Sequence, residues 1–281
     1  MNNNNSSLVK NYITLQDLRK KPHLSKSQLN CYLSCSKKYK FRYIDKIASE
    51  FISCALLFGV SIHGIIASYL SHIKDTEIKK SLDELLQEFK IQWDNQCLKP
   101  IRFTNSNTKE SLYETGCKML EVFYNEFKFS KIVAVELPFC IKIILLDPKG
   151  DAQKVNMIGS FDFIEEDQNG KYVIHEFKTA ARRWGEGQAD IMLDSSVYTY
   201  AARSLQEFKD QDRIKIQYNI LTKTKSPTLN SQITTRTKED DKRFVNNLNQ
   251  ILRAIRNCIF YENQSWMCKG CEYNKICNEI T

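Results

Sequence analysis

Residues 159–179 read GSFDFIEEDQNGKYVIHEFKT, and this stretch decides the fold. The segments 154–165 and 171–178 are both rich in Val, Ile, Phe and Tyr, a composition that predicts two strands. The polar residues from Asp167 to Gly170 between them are typical of a short turn. The stretch is therefore predicted to form a hairpin.

Charged side chains lie at matching places on these two strands. Side chains alternate between the faces of a strand, so Glu176 and Lys178 project from one side and Phe177 from the other. Pairing of the two strands can bring Asp162 beside Glu176. Two converging carboxylates form a hard oxygen site of the kind that Mg²⁺ or Mn²⁺ prefers, and such a metal can activate water for phosphodiester hydrolysis. The alternative is a solvated Glu–Lys pair on a strand edge, which the Glu-x-Lys pattern alone favours.

The segments around the hairpin complete an α/β pattern. Residues 131–146 and 213–222 have the same strand-like composition, and residues 147–150 carry a turn signal. A helix over about 188–205 is predicted to cross from the third strand to the fourth, and apolar residues at helical spacing over 244–255 predict a last helix. The expected fold class is α/β, a mixed sheet flanked by helices.

Composition limits the setting in which the protein works. The chain has 281 residues, ten cysteines and a formal net charge of +8 at pH 7. The excess of Lys and Arg favours polyanionic partners without requiring them. Ten cysteines without a secretory signal indicate a reducing compartment, so we expect a cytoplasmic protein whose clustered thiols hold metal. Residues 51–73 lack Asp, Glu, Lys and Arg, but their Ser and His residues favour a buried helix over a membrane span.

Three cysteines cluster near the end of the chain, in WMCKGCEYNKICNE at residues 266–279. Cys268 and Cys271 are spaced to reach one metal, Cys277 supplies a third thiol, and a fourth ligand must come from elsewhere. Four thiolates suit either zinc or an iron–sulfur cluster, and the spacing alone favours zinc.

GSFDFIEED and HEFKT together resemble the PD-(D/E)XK nuclease superfamily. From Ser25 to Cys277 the chain is similar to the RecB-like branch that carries an iron–sulfur cluster, such as the CRISPR-associated exonuclease family and the nuclease subunits of bacterial helicase–nuclease complexes. The resemblance implies a restriction-endonuclease-like core. It also implies that Asp162, Glu176 and Lys178 are catalytic and that the two carboxylates bind Mg²⁺ or Mn²⁺.

Three further positions take their meaning from this resemblance. LLFGVSIHGII at residues 56–66 matches the G-x-x-x-H segment of the family, which makes His63 an additional metal ligand; a satisfied core histidine is the alternative. Glu136, in VAVELPF, stands where the family often has another acid, and a surface acid at a strand edge is the alternative. The Q-x-x-x-Y helix motif departs from the family pattern, because DSSVY has Asp194 in place of glutamine while Tyr198 is retained. Asp194 would repel phosphate unless it binds metal or pairs with Arg182, Arg183 or Arg203.

The resemblance also completes the cysteine site. SKSQLNCYLSCSKKYKFRYI matches the segment that supplies the distant N-terminal cysteine, which makes Cys35 the fourth ligand and Cys31 the fallback, although Ser36 replaces the usual proline. This one-plus-three arrangement implies a 4Fe-4S cluster that ties the chain ends together. The expected organisation is a flexible segment over 1–24 and one nuclease domain over 25–281, with its core at about 130–225 and cluster-binding ends at 25–45 and 260–281.

A basic and aromatic segment follows Cys35. Lysines and arginines including Lys38 alternate with aromatics including Tyr39, a mixture that suits phosphate neutralisation and base stacking. An amphipathic segment with its aromatics inward and its lysines in water is the alternative. The expected function is an exonuclease on single-stranded DNA ends, with Tyr198 also contacting the strand, within a CRISPR adaptation or DNA repair complex. A non-catalytic DNA- or partner-binding scaffold and a zinc-stapled enzyme of unrelated chemistry are the rivals.

Overall fold

The computed structural model describes residues 14–97, 100–104, 106–146 and 152–279. Its centre is a six-stranded mixed sheet in which β1, β5, β6, β7 and β8 follow one another and β4 pairs with β5. The strands of this sheet are β1 (Leu24–Ser25), β4 (Lys131–Leu146), β5 (Ala152–Glu166), β6 (Tyr172–Ala180), β7 (Ile214–Thr222) and β8 (Leu229–Arg236); the short β2 (Ile52–Ser53) and β3 (Ile101–Arg102) pair separately. The predicted α/β class, a mixed sheet flanked by helices, is confirmed.

The helices cover both faces of the sheet. They are α1 (Leu15–Arg19), α2 (Lys26–Ser34), α3 (Ser36–Tyr39), α4 (Cys54–Thr76), α5 (Leu82–Gln96), α6 (Lys109–Glu126), α7 (Leu193–Ala202), α8 (Lys238–Arg256) and α9 (Asn274–Glu279). One hydrophobic core joins the sheet to α2, α7 and α8, and the other joins it to α4, α5 and α6. Several helices begin at capping boxes, such as Ser25 with Gln28 at α2 and Thr237 with Asp240 at α8, because these side chains satisfy the free N–H groups of the first turn.

The edge of β5 opposite β4 is shared between two neighbours. Its N-terminal part pairs in parallel with β1 at Met157 and Ile158, and its C-terminal part pairs antiparallel with β6 from Phe163 onward. The residues between Ile158 and Phe163 therefore face an opening and not a neighbouring strand. β6 and β7 are parallel, because α7 crosses over between them.

The long helix α4 is apolar enough and long enough to cross a membrane by composition alone. Half of its most apolar window is buried inside the protein, where Phe58, Ile62 and Ile66 pack in the same core as α5 and α6. Close packing also marks α6, where a Cβ added at Gly116 would overlap the ring of Phe89. We interpret α4 as a core helix, as the sequence predicted.

A buried polar pair, Glu165 on β5 and His175 on β6, lies beyond the end of the opening at Phe163. The Glu165 carboxylate lies 3.1 Å from His175 Nε2 and accepts a hydrogen bond from the backbone N–H of Ser130 at 3.0 Å. Burial alone would raise the pKa of Glu165, but these contacts hold it below its ordinary value of 4.5.

Element bounds differ from the sequence prediction in a few places. The helix predicted over 188–205 is a 3₁₀ turn, Gln188–Ile191, followed by α7, and β8 was not predicted at all. The N-terminal segment predicted to be flexible forms α1 and β1 from Leu15 onward. Residues 1–13 and the turn predicted at 147–150 lie outside the described residues.

Candidate active site

The opening on the edge of β5 forms one wall of a cleft of about 510 Å³. Gly159, Ser160 and Asp162 of β5 line it, and Lys26 and Tyr198 close it from α2 and α7. Basic and aromatic side chains from residues 19–43 complete the wall, namely Arg19, His23, Arg42 and Tyr43. The cleft therefore places the Asp162 carboxylate beside a basic rim.

Asp162 lies where β5 changes direction. In a regular strand Phe161 and Phe163 would lie on the same face. They pack in different cores, so β5 twists at Asp162. Its carboxylate Oδ2 accepts a hydrogen bond from the backbone N–H of Phe177 at 3.0 Å and lies 3.5 Å from His63 Nδ1 on α4. On β4, Glu136 has a φ of +47°, and its carboxylate accepts a hydrogen bond from the Ser160 hydroxyl at 3.1 Å.

Glu176 is buried between two lysines, with 2% of its surface exposed. Its Oε1 accepts hydrogen bonds from Lys178 Nζ at 2.6 Å and from Lys26 Nζ at 2.8 Å. Its second oxygen, Oε2, is buried and has no hydrogen-bond partner among the described residues. A buried carboxylate oxygen without a partner is costly, so this atom is suited to bind a cation.

Asp194 extends the same network from α7. Its carboxylate accepts hydrogen bonds from Lys178 at 2.6 Å and from Asn30 of α2 at 3.1 Å, and Lys26 Nζ lies 3.5 Å away. Lys26 also donates to the hydroxyl of Tyr198 at 2.5 Å. Two lysines therefore neutralise two buried carboxylates.

The sequence left two ways to offset the charge of Asp194, a bound metal or a nearby arginine, and the structure pairs it with lysines. Arg203 pairs with Asp241 instead, and Arg182 and Arg183 are exposed. Lys26 and Asn30 were missed, because no spacing pattern links residues that lie more than 140 positions from their partners along the chain. Their place in the Ser25-capped helix was the one available signal.

The surroundings shift the pKa values of Asp162 and Glu176 in opposite directions. Burial, followed by the nearby Glu176 carboxylate, raises the pKa of Asp162. Burial alone would also raise the pKa of Glu176, but Lys26 and Lys178 lower it. Burial opposes the charge of Lys178, yet Glu176 and Asp194 raise the pKa of its ammonium group. Lys178 is therefore charged at neutral pH, with Glu176 ionised beside it.

At the rim, desolvation followed by the charge of Asp162 raises the pKa of Glu136 to about 7. Burial would lower the pKa of His63, but its contact with Asp162 outweighs this and raises it.

The donor set suits a hard divalent cation. Asp162 and His63, which lie 3.5 Å apart, offer a carboxylate and an imidazole, and Glu176 adds its unpartnered Oε2. Among the described residues, no three His, Cys, Asp or Glu side chains are already arranged as a metal-holding group. Lys26 and Lys178 instead neutralise the carboxylates.

Residues 32–38 contact residues 259–272 beside the cysteine segment, residues 266–279. Tyr32 donates to the carbonyl of Ile259 at 2.9 Å, and the backbone N–H of Lys37 donates to the carbonyl of Tyr261 at 3.0 Å. Lys38 pairs with Glu272 at 2.9 Å. The helices α2 and α3, which flank Cys35, therefore pack against residues 259–272.

The thiols of Cys271 and Cys277 are partly buried at this junction. Burial raises the pKa of both. In the structure Cys277 Sγ lies 3.4 Å from a Glu262 carboxylate oxygen, and Cys268 Sγ accepts from the backbone N–H of Ser265 at 3.4 Å.

The aromatic side chains of the basic and aromatic segment lie partly or fully buried. Tyr39 is 7% exposed, and its ring packs against Tyr32, Tyr43 and Phe260. Arg42, in contrast, has 43% of its side chain exposed and borders the cleft. Tyr198 is 2% exposed and lies under the cleft rather than at its mouth.

Comparison with known proteins gives one family. A family model described as the PD-(D/E)XK nuclease superfamily matches residues 23–278. A solved structure named a "putative exonuclease", from Eubacterium rectale, is 15% identical over 93% of both chains with a TM-score of 0.51, which shows a shared fold. SSO0001 is 15% identical over 90% of this chain and 93% of its own, with a TM-score of 0.36. No curated protein matches the chain.

Proposed function

Because the chain belongs to the PD-(D/E)XK nuclease superfamily, we propose that it is a Mg²⁺- or Mn²⁺-dependent deoxyribonuclease. One observation carries this proposal. Asp162 lines the cleft, and Lys26 at its wall contacts the buried Glu176, which pairs with Lys178 and keeps its Oε2 without a partner among the described residues. The cleft around them has a basic rim, which suits a phosphodiester backbone.

Each side chain has a distinct role in the proposed reaction. Asp162 and Glu176 hold the metal, with His63 as a further ligand and Glu136 at the edge of the site. The metal supplies charge neutralisation and an activated water when it is bound. Lys178 lies 2.6 Å from Glu176 and presents an ammonium group that orients the water or stabilises the transition state. The backbone N–H of Phe177 holds the Asp162 carboxylate in place.

Cleavage of end-labelled DNA tests this proposal. Anaerobically purified protein is incubated with single- and double-stranded substrates and Mn²⁺, and the products are resolved on sequencing gels. Asp162→Ala and Lys178→Ala should each abolish cleavage, while His63→Ala should raise the metal concentration that is needed. Lys142→Ala, an exposed lysine of the same sheet, is the matched control and should cleave normally. Metal-dependent cleavage by both Asp162→Ala and Lys178→Ala would show that the active site lies elsewhere.

We further propose that the protein belongs to the RecB-like branch and holds a 4Fe-4S cluster at Cys35, Cys268, Cys271 and Cys277, with zinc as the alternative. The contacts between α2–α3 and residues 259–272 support this, because they bring the two ends of the chain together. A crosslink across so long a loop contributes most to stability in principle. Residues 25–281 would then form a single domain.

Iron and sulfide analysis of freshly isolated protein tests the cluster. The protein should be brown, and Cys271→Ser should remove the colour and lower the thermal stability. Cys31→Ser is the matched control and should leave both unchanged. A colourless protein with one bound zinc would refute the iron–sulfur assignment and retain the crosslink.

The proposed substrate is a single-stranded DNA end, contacted by Lys38 and positioned over Tyr198. The proposed setting is the cytoplasm, in CRISPR spacer acquisition or recombinational DNA repair, with protein partners of such a complex. A second candidate is a non-catalytic DNA-binding scaffold. Lys26 favours this candidate, because its ammonium group pairs with Glu176 within the proposed metal site. Tight DNA binding without cleavage at any Mn²⁺ concentration would support the scaffold.

A further inference from the structure

A second cleft, of about 620 Å³, lies beside the cysteine segment. Trp266 stands on its wall with 84% of its surface exposed, and Leu56 and Met267 beside it are 54% and 45% exposed. Leaving a tryptophan ring in water forfeits a large hydrophobic gain. A group of exposed apolar side chains of this kind marks a binding site more often than a neutral surface.

Two cations and one carboxylate, Glu272, line this cleft, and the excess positive charge favours an anionic ligand. Lys38 and Arg42 line it, and both lie near Glu272, at 2.9 and 3.7 Å. The guanidinium of Arg102 lies 4.7 Å from the ring centre of Phe51, another lining residue. Cations interleaved with aromatic rings form the pattern with which proteins hold single-stranded nucleic acid, because the cations neutralise phosphates and the rings stack on bases.

Arg42 joins this cleft to the candidate active site. Its side chain lines both the cleft that contains Asp162 and the cleft that contains Trp266. A strand whose phosphates follow Arg42 can therefore reach both clefts in one path. This continuity favours a nucleic-acid strand over a protein partner, which would use the apolar side chains without needing the connection to Asp162.

We propose that Trp266 is a base-stacking contact for single-stranded DNA whose backbone runs along Arg42 into the Asp162 cleft. The proposal rests on the nuclease function proposed above and adds a binding site outside the reacting centre. Only an unpaired base offers its face to an aromatic ring, so the site selects single strands over duplex. The site also places the cysteine segment on the substrate path.

Binding is measured in EDTA, so that no cleavage is needed. Oligodeoxythymidylates of stepwise increasing length are titrated, with fluorescence anisotropy for affinity and tryptophan fluorescence for stacking. Trp93 is 1% exposed and Trp184 packs against Tyr218, so Trp266 should dominate the quenching. Trp266→Ala should bind long oligonucleotides about 5- to 150-fold more weakly, the range expected for one lost stacking contact.

Two further variants separate stacking from other effects. Trp266→Phe should restore most of the affinity while losing the quenching, because the ring can still stack. Ile191→Ala, which removes a 77% exposed side chain from a different surface, should bind as the unchanged protein does. The shortest oligonucleotides, which reach only one cleft, should bind Trp266→Ala normally.

Affinity of Trp266→Ala equal to that of the unchanged protein at every length would overturn the proposal and leave protein docking as the use of this surface. Equal affinity together with normal metal-dependent cleavage would refute the stacking site alone. Trp266-dependent binding without any cleavage by the unchanged protein would refute the nuclease function alone.

Discussion

Lys26 provides the sharpest test of how the charges of the site are balanced. It contacts Glu176 at 2.8 Å and lies 3.5 Å from Asp194, and both carboxylates are about 1–2% exposed. With an effective dielectric constant of about 20, a 2.8 Å contact between unit charges is worth roughly 6 kcal/mol before desolvation is subtracted. Loss of one partner from a buried ion pair costs about 3–5 kcal/mol in measured cases. Because 23% of the Lys26 side chain is exposed, water partly compensates, and we expect a loss of about 3 kcal/mol for Lys26→Met.

A double-mutant cycle isolates this effect. Lys26→Met, Asp194→Asn and the double variant are unfolded with urea in EDTA, and the free energies of unfolding are compared. Removing both charges restores the balance of one lysine and one carboxylate, so the double variant should be more stable than Lys26→Met by about 1 kcal/mol or more. Strictly additive effects would refute the shared network, and an unchanged stability of Lys26→Met would refute its charge balance.

Three further outcomes are expected. Gly116→Ala should lower the free energy of unfolding by about 1–3 kcal/mol, since the new Cβ overlaps an aromatic ring, whereas Gly185→Ala, with no atom within 4 Å of its Cβ, should be nearly neutral in urea unfolding. Because the pKa of Glu165 is lowered in the folded state, its ionised form stabilises the fold above about pH 4.5, and this stabilisation is lost as the pH falls through the folded pKa. Glu165→Gln should therefore flatten the acid limb of a stability-versus-pH curve, and an unchanged limb would contradict this. Burial raises the pKa of Cys31 to about 11, so at pH 8 iodoacetamide should label it more slowly than the exposed Cys140 in peptide mapping; equal rates would show that Cys31 is accessible as thiolate.

Local pattern was enough to predict the elements that carry the site. Alternation along residues 171–178 placed Glu176 and Lys178 on one face and Phe177 on the other. The structure packs Phe177 in the α4–α6 core, while Glu176 contacts α2 and Lys178 contacts α7. The turn at residues 167–170 likewise gave the hairpin of β5 and β6. Period and turn chemistry depend on neighbouring residues, so the sequence carries them directly.

The motif set also identified the superfamily, because Asp162 and the Glu-x-Lys stand at a fixed place relative to two strands. The sequence by itself thus determined the fold class, the hairpin and the candidate reacting groups. The grouping of Cys35 with the C-terminal cysteines, which the resemblance implies, stays a prediction.

Tertiary structure alone decided the surroundings of those groups. The split edge of β5, the turn at Asp162 and the placement of Lys26 against Glu176 depend on contacts between distant parts of the chain. The same holds for Asp194, whose partners are lysines and not the arginines near it in sequence. No periodicity encodes such contacts, because they are set by how helices and strands pack once the two cores are buried.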